Sequence, residues 1–252
     1  AGSVANWGIV RRYFFLAIVW MVATSATATW AQFKPPRILM PINASNTGTL
    51  SDSLLDLRRY FIDKGLETSI RVDDVLNVYR EKRMSRDIPH FIRMMIGTMT
   101  ITDSQMGSSI GRFEPIATTM NHPLIRHKRP MKGDVVVPRL AIDSGVLFDP
   151  GVFQLKPGAV EEFDKVASFV KTFTPSKLMV EGHTDSDGSD DLNLELSIRR
   201  AEQVKRYLVA SYEFITPAMV ESRGNGETRP IADNDSPENK QLNRRIEVLV
   251  WE

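Results

Sequence analysis

The sequence contains no cysteine. Disulfide bonds and thiolate metal sites are therefore excluded, and so is the lipid-bearing cysteine that a bacterial outer-membrane lipoprotein needs. An excess of either charge is also lacking, because 32 lysine and arginine residues face 31 aspartate and glutamate residues, for a formal net charge of +1. That balance argues against a dedicated nucleic-acid-binding protein. The remaining composition, 42% hydrophobic and 25% charged, is typical of a globular chain of one or two domains.

Motifs for common chemistry are missing as well. The chain shows neither a phosphate-binding loop nor a spacing typical of metal ligands. The acidic run that starts at Asp185 and ends at Asp191 resembles a calcium loop only superficially, since the twelve-residue pattern with a terminal glutamate is absent. His183 lies near Asp185, but no nucleophile is recognisable beside them. We therefore expect a protein that is not an enzyme and that holds neither a metal nor a cofactor.

The first 32 residues have the features of a targeting segment. Arg11 and Arg12 precede an uncharged stretch from Tyr13 to Phe33, in which the apolar centre FFLAIVWMVA is followed by the small-residue tail TSATATWAQ. An apolar centre of about ten residues, with small residues such as Ala28 and Ala31 at the cleavage spacing, is typical of a secretory signal peptide. The alternative is an uncleaved signal anchor, because an uncharged run of about twenty residues is just long enough to cross a bilayer. We favour cleavage, since threonine and serine fill a membrane poorly.

Residues 33–134 are predicted to form a mixed, largely helical region of unknown family that includes a linker. A short strand is expected at residues 38–40. Apolar patterns favour three helices, one from Ser51 as N-cap to Gly65, one across residues 75–79, and one from Asp87 to Gly97. Residues 107–130 have little periodicity and many turn formers, so we expect a loop or linker there.

Residues 135–252 carry alternating strand and helix signals. We expect strands at residues 135–137, 140–148, 177–181, 219–223 and 245–251, with helices at residues 157–173 and about 192–208. This order predicts an α+β domain of βαβαβ type, in which the helices pack on one face of the sheet.

The densest group of specific polar residues lies in the segment MVEGHTDSDGSDDLNLELSIRRA, residues 179–201, between a predicted strand and a predicted helix. Asp185 offers a carboxylate that accepts hydrogen bonds from an ammonium group, and Arg200 offers a planar guanidinium that takes a carboxylate in bidentate fashion. The two together suit a ligand with amino-acid character. The alternative interpretation is a structural ion pair that ties the loop to the helix.

Four motifs of glycines and specific polar residues occur between about residue 140 and the C-terminus. They are Gly182-His183-Thr184-Asp185, Asn193-x-x-Leu196-Ser197-x-x-Arg200-Ala201, Gly224-x-Gly226-Glu227-x-x-Pro230 and Asn243-Arg244-Arg245-Ile246-Glu247. In order and spacing, these motifs resemble the OmpA-like peptidoglycan-binding domain. In that family an aspartate and an arginine hold the diaminopimelate residue of the peptidoglycan stem peptide. The resemblance therefore implies that Asp185 meets the amine and Arg200 meets the carboxylate, and it implies supporting roles for His183, Thr184, Asn193, Ser197, Gly224, Gly226, Asn243 and Arg244.

The chain departs from the relatives of this family in two places. The family usually has Gly-Arg shortly before its Asn-Arg-Arg motif, and Asn239-Lys240 stands there instead. Lysine keeps the charge but loses the fork geometry, so we expect an effect on ligand affinity more than on the fold. Flagellar stator subunits share the domain but carry an aspartate in their membrane helix, and none lies between Tyr13 and Phe33. A proton relay through this segment therefore has no physical basis.

The resemblance implies a non-enzymatic cell-wall anchor that binds peptidoglycan and tethers an envelope assembly or the outer membrane. We expect it in the periplasm of a Gram-negative bacterium, as a homo-oligomer or a member of a larger assembly, with residues 33–134 contacting an envelope protein complex and with no nucleic acid bound. The alternative is a scaffold subunit of a secretion system or motor whose OmpA-like domain makes protein contacts without binding peptidoglycan. An uncleaved N-terminal segment would anchor either protein in the inner membrane.

Overall fold

The computed structural model describes residues 33–43, 45, 57–83, 85, 91–116 and 123–251. The predicted signal peptide or signal anchor at residues 1–32 lies outside the described residues, as does the predicted helix start at Ser51. Within the described ranges, no helix has the length and apolar character needed to cross a bilayer.

One sheet contains all nine strands that the structure describes, in the order β1-β2-β5-β4-β3-β6-β9-β7-β8. Neighbouring strands are antiparallel except β7 and β8, which are parallel. The strands are β1 (Ile38–Pro41), β2 (Arg59–Ile62), β3 (Val75–Arg83), β4 (Phe91–Gln105), β5 (Ser108–Pro115), β6 (Val135–Asp143), β7 (Lys177–Gly182), β8 (Val220–Gly224) and β9 (Arg245–Trp251).

In the described part of the chain, four α-helices follow β6. They are α1 (Ser144–Leu147), α2 (Val160–Phe173), α3 (Asp190–Ser211) and α4 (Pro237–Asn243). The longest, α3, begins at the N-cap Ser189, and Asp190 and Asp191 in its first turn favour the positive end of the helix dipole. The acidic run of the sequence therefore has a structural role at a helix start. α2 and α3 contribute to one apolar core with the sheet, through residues such as Phe163, Val166, Val170, Ala201, Val204, Leu208, Leu178, Val180, Ile246 and Val248.

The first six strands curl until the sheet closes on itself. Arg37, just before β1, forms a bridge with Val135 at the start of β6. Backbone hydrogen bonds support this closure, from the Ile38 N–H to the Asp134 oxygen (2.9 Å) and from the Val136 N–H to the Pro36 oxygen (2.8 Å). These strands share a second apolar core, which includes Ile38, Tyr60, Ile62, Leu76, Val78, Ile96, Met99, Ile101, Phe113 and Val136.

Strand β6 connects this closed sheet to the strands that carry α2 and α3. Its first half, Val135 to Pro138, pairs with β3, and its second half, Arg139 to Asp143, pairs with β9. One sheet thus contains strands from both sides of residue 134, where the two regions of the chain were predicted to meet. The predicted division of the chain at that residue stays a prediction.

The α+β class is confirmed, but the helices predicted in the middle region are wrong wherever the structure describes them. Residues 75–79 belong to β3, residues 91–97 to β4, and Gly65 follows strand β2. The loop predicted from Gly107 is also wrong over β5. In β4, Met94 and Ile96 join one apolar core while Met95 joins another. Burial on both faces produces a continuous apolar run, which cannot be told from a helix by periodicity alone.

The elements predicted after residue 135 are confirmed with small changes at their ends. Strand β6 stops at Asp143, where the predicted strand ran to residue 148, because the Asp143 carboxylate accepts a hydrogen bond from the Gly145 N–H (2.7 Å) and begins α1. Pro157 opens a 3-10 turn that leads into α2. Within α3, Leu192 is 65% exposed, so it lies outside the apolar stripe in which the pattern placed it.

A buried ionic network joins β3, β6 and β9. The carboxylate of Glu247 accepts hydrogen bonds from Arg139 Nη1 (2.7 Å), Arg245 Nε (2.7 Å) and Asn77 Nδ2 (2.8 Å). Burial raises the pKa of the Glu247 carboxyl, but Arg245 and Arg139 outweigh that effect and hold the pKa well below its usual range. Glu247 is therefore ionised in the folded protein and connects the closed sheet to the helix-bearing part.

We expect Glu247→Gln to destabilise the fold by about 3–5 kcal/mol, because the loss of one partner leaves two buried guanidinium groups without their shared carboxylate. Urea unfolding followed by circular dichroism measures this change. Glu213→Gln, at an exposed position, is the matched control and should change the free energy of unfolding by no more than about 0.5 kcal/mol. Equal effects of both variants would contradict a structural role for the network.

We also expect His183 to make folding pH-dependent. Burial and Arg245 hold the pKa of this imidazole well below its usual 6.5, and neither ring nitrogen has a hydrogen-bond partner among the described residues. Below about pH 6.5 the unfolded chain therefore binds a proton that the folded chain does not. The free energy of unfolding then decreases as the pH is lowered, by up to about 1.4 kcal/mol per pH unit. His183→Gln should flatten this dependence between pH 7.5 and 5.5 in urea titrations. His127→Gln, at an exposed position, should leave it unchanged.

Candidate ligand-binding site

Two glycines allow α3 to lie directly on the sheet beside the candidate site. A Cβ at Gly182 would stand 2.3 Å from the Ser197 oxygen, and a Cβ at Gly224 would stand 2.4 Å from the Ile198 nitrogen. Side chains at either position would push the helix away from β7 and β8. The close approach lets Ser197 Oγ accept a hydrogen bond from the Gly226 N–H (2.9 Å), which fixes the loop after β8 against the helix.

Asp185 lies in the loop between β7 and α3 and is only 6% exposed. One carboxylate oxygen accepts a hydrogen bond from the Asp187 N–H (3.1 Å), and the other pairs with Arg244 Nη1 at 2.5 Å. Asn193 Nδ2 donates to the main-chain oxygen of Asp185 (3.2 Å) and to Glu227 (2.7 Å). Two groups therefore hold the carboxylate, and a third holds the main chain of the same residue.

Arg200 projects from α3 and is 5% exposed. Its Nε donates to the Val152 oxygen (2.9 Å) and its Nη2 to the Asp149 oxygen (3.0 Å), while Nη1 lies 3.5 Å from Ser144 Oγ. Burial lowers the pKa of the guanidinium, and the charge of Asp185 only partly offsets that effect. Across the described residues, no carboxylate lies within ion-pairing distance of this buried cation.

Asp185 and Arg200 line the same open cavity, which has a volume of about 550 Å³. The cavity combines an apolar wall with both signs of charge, and its cations outnumber its anions. It is therefore suited to a polar ligand that carries at least one carboxylate. The lining residues are Ser144, Gly145, Phe148, Pro150, Gly151, Lys156, Thr184, Asp185, Asp187, Asn193, Leu196, Arg200 and Arg244.

The other predicted residues divide into cavity residues and supports. Thr184 and Asn193 line the cavity, whereas the imidazole of His183 belongs to the buried ionic network. Asn243 is fully buried, and its side-chain oxygen accepts hydrogen bonds from the N–H groups of Ile231 (2.8 Å) and Ala232 (3.1 Å). It therefore holds the segment before α4 in place.

Several contacts of the site were not predicted from the sequence. Arg244 was predicted to have only a supporting role, yet it pairs directly with Asp185. Lys240 donates to Asp187 at 2.6 Å and so ties α4 to the loop after β7. The main-chain oxygens of Asp149 and Val152 hold Arg200. A carbonyl group is common to every residue, so no sequence signal could have found these two partners.

The compact acidic group that includes a histidine is Glu181, His183 and Glu247, whose potential ligand atoms lie within 4.8 Å of one another. Arg229 pairs with Glu181 at 3.2 Å, and two further arginines pair with Glu247. These cations already neutralise the carboxylates, so a divalent cation would meet net positive charge there. The group is better described as part of the ionic network than as a metal site.

Comparison with known proteins agrees with the four motifs. A model described as the OmpA family matches residues 147–244. Outer membrane porin F of Pseudomonas aeruginosa is 39% identical over 114 residues, which cover 45% of this chain and 32% of that protein. Peptidoglycan-binding protein ArfA of Mycobacterium tuberculosis is 35% identical over 96 residues, which cover 38% of this chain and 29% of that protein.

Among solved structures, a MotB-like protein from Desulfovibrio vulgaris is 31% identical, with a TM-score of 0.41 over 46% of this chain and 73% of that chain. The chain spans about a third of the length of the porin F relatives, 34% and 32% in two Pseudomonas species. Residues 147–244 of this chain thus form an OmpA-family domain.

Proposed function

We propose that this domain binds the diaminopimelate residue of the peptidoglycan stem peptide and so serves as a non-enzymatic cell-wall anchor. Arg200 would hold the carboxylate of that residue, and Asp185 would hold its ammonium group. The observation that carries the proposal is the buried guanidinium of Arg200, which lines an open cavity and has only neutral partners.

A ligand carboxylate would supply what Arg200 lacks. A buried cation costs free energy unless it is paired, and neutral carbonyl oxygens compensate that cost only in part. Three of the five guanidinium N–H groups have partners within the described residues, so two remain for a ligand. A charge-assisted hydrogen bond in this buried place is stronger than one between neutral groups.

Asp185 can accept an ammonium group without losing its present partners. An ionised carboxylate has about four lone-pair sites, and the Asp187 N–H and Arg244 occupy two of them. Thr184 and Asp187, which also line the cavity, add polar contacts around the same point. The two ends of a zwitterion would thus meet opposite charges in one cavity.

The relatives support the same ligand. ArfA, whose similarity to this chain extends over 96 residues, is named as a peptidoglycan-binding protein. A single clamp of this kind binds modestly, but a cell-wall lattice presents many copies of the stem peptide. An assembly of several chains would then be held by avidity.

The wider role follows from that anchor. We propose a periplasmic location, with the domain attached to the wall and the region at residues 33–134 contacting an envelope assembly or the outer membrane. A homo-oligomer or membership of a larger complex would supply the avidity.

A second function is favoured by the ion pairs inside the cavity. Arg244 already pairs with Asp185, and Lys240 already pairs with Asp187, so the acidic side is neutralised internally. We propose as the alternative that the domain is a scaffold for protein contacts in an envelope machine and does not bind peptidoglycan.

We expect the full chain to sediment with purified sacculi of the diaminopimelate type. Asp185→Ala and Arg200→Ala should each weaken sedimentation by about tenfold or more, because each removes a charge that pairs with the ligand. Arg206→Ala is the matched control, since this exposed arginine of α3 pairs with Glu202 on the same helix and lies outside the cavity lining. This variant should sediment with sacculi as the unchanged chain does. Circular dichroism checks that every variant is folded. Failure of the unchanged chain to sediment would leave the scaffold function.

Selectivity between two stem peptides tests the role of Arg200 separately. Within a peptide chain, lysine offers only a side-chain ammonium group, whereas diaminopimelate offers an ammonium group and the carboxylate assigned to Arg200. A soluble stem peptide with diaminopimelate should therefore displace the chain from sacculi at concentrations at which the same peptide with lysine has no effect, and the Arg200→Ala variant should show no such preference. Equal displacement by both peptides would refute the assigned pairing.

A further inference from the structure

Strand β8 is the last strand of the sheet on the side that carries α3. It pairs with β7 alone, in parallel, over Val220 to Gly224. A last strand leaves a row of main-chain N–H and C=O groups open to another chain. Most proteins cover or interrupt such an edge.

The outward main-chain groups of β8 follow from its bonds to β7. The Leu178 N–H donates to the Met219 oxygen (2.8 Å), and the Asn225 N–H donates to the Gly182 oxygen (2.9 Å). Because alternate residues of a strand face the same neighbour, the odd-numbered residues 219–225 face β7. Val220, Ser222 and Gly224 therefore direct their N–H and C=O groups away from β7. Val220 is only 1% exposed, so the accessible groups are those of the half-buried Ser222 and Gly224.

The helix-bearing side of this edge is apolar. Leu194 and Ile198 are four residues apart on α3 and are 44% and 39% exposed. A Cβ at Gly224 would touch Ile198, and a Cβ at Gly226 would touch Leu194, so both apolar residues stand directly beside the edge. Arg200 and Leu196 lie on the other flank of α3 and line the ligand cavity. The edge is thus separate from the proposed peptidoglycan site.

The opposite side of the edge is cationic. Glu221 and Arg223 of β8 line a cleft of about 550 Å³ together with residues of β4, β7 and β9. Its charged lining residues are Arg93, Lys177, Arg223 and Arg229 against Glu181 and Glu221. Arg93, Lys177 and Arg229 each have an acidic partner within 4 Å. The side chain of Arg223 is exposed and makes no hydrogen bond or ion pair with the described part of the chain.

We propose that an extended segment of a partner protein, in which acidic and apolar residues alternate, adds to the sheet along β8. Its main chain would bond to Ser222 and Gly224. Side chains of an added strand point alternately to the two faces of the sheet, so its apolar residues would meet Leu194 and Ile198 while its acidic residues would meet Arg223. Main-chain donors and acceptors in a row recognise a peptide strand, which a lipid headgroup or a lone anion does not match.

The test uses the full chain and a short fluorescent peptide in which glutamate alternates with valine, with binding measured by fluorescence anisotropy. We expect saturable binding to the unchanged chain. Ser222→Pro should weaken it by about tenfold or more, because proline removes the outward N–H and adds a ring at the edge. Ser222→Ala keeps that N–H and should bind as the unchanged chain does. Circular dichroism and urea unfolding show whether the proline variant is folded.

Two further arms test the pattern of charge and apolar contacts. A peptide with lysine in place of glutamate should bind at least about tenfold more weakly, and Arg223→Ala should weaken binding of the glutamate peptide severalfold. Ile198→Gln should weaken binding as well. Equal binding of both peptides, or binding that survives Ser222→Pro, would overturn the proposal, as would capture of phosphatidylglycerol vesicles with no binding of the peptide.

Discussion

The arrangement of the strands in this protein depends on the hydrogen bonds of one buried carboxylate, that of Glu247. It lies in β9 and is shared by Arg139 of β6, Arg245 of β9 and Asn77 of β3, so one buried anion spans three neighbouring strands. Such a group is stable only when every partner is present, because each unpaired member would carry a desolvation cost of several kcal/mol. The network therefore specifies the junction between the closed sheet and the OmpA-family domain. His183, which directly precedes the ligand loop, packs against this network as a neutral imidazole, because burial and Arg245 hold its pKa well below the usual value.

That junction also positions the candidate site. β7 pairs with β9, and its last residue, Gly182, lies where only a hydrogen atom fits beneath α3. The helix consequently lies close enough to place Arg200 beside the segment after α1, whose main-chain oxygens hold its guanidinium. The site has a buried cation with neutral partners and an anion that already has one charged partner, Arg244. This asymmetry favours a ligand with a carboxylate, and it is also the reason that a protein-contact role is a reasonable second function.

The two flanks of α3 then serve different purposes. One flank carries Arg200 and faces the cavity, and the other carries Leu194 and Ile198 beside the free edge of β8. A wall ligand and a partner strand would use surfaces that share a helix but no side chain. In the proposed wall anchor, one of these surfaces would bind peptidoglycan and the other would bind the structure that is anchored.

The sequence by itself determined the order of the strands and of the two long helices after residue 135, the four motifs, and Asp185 and Arg200 as the candidate ligand-binding residues. Local periodicity and turn residues carry that information, because the helices and strands there are buried on one face or are bounded by clear breaks. Only the tertiary structure decided that residues 75–79 and 91–97 are strands, since burial on both faces depends on which strands become neighbours. It also decided that Arg244 pairs with Asp185 and that carbonyl oxygens hold Arg200. Those contacts join residues 48 to 59 positions apart in the chain, and they arise only when the sheet and α3 have packed.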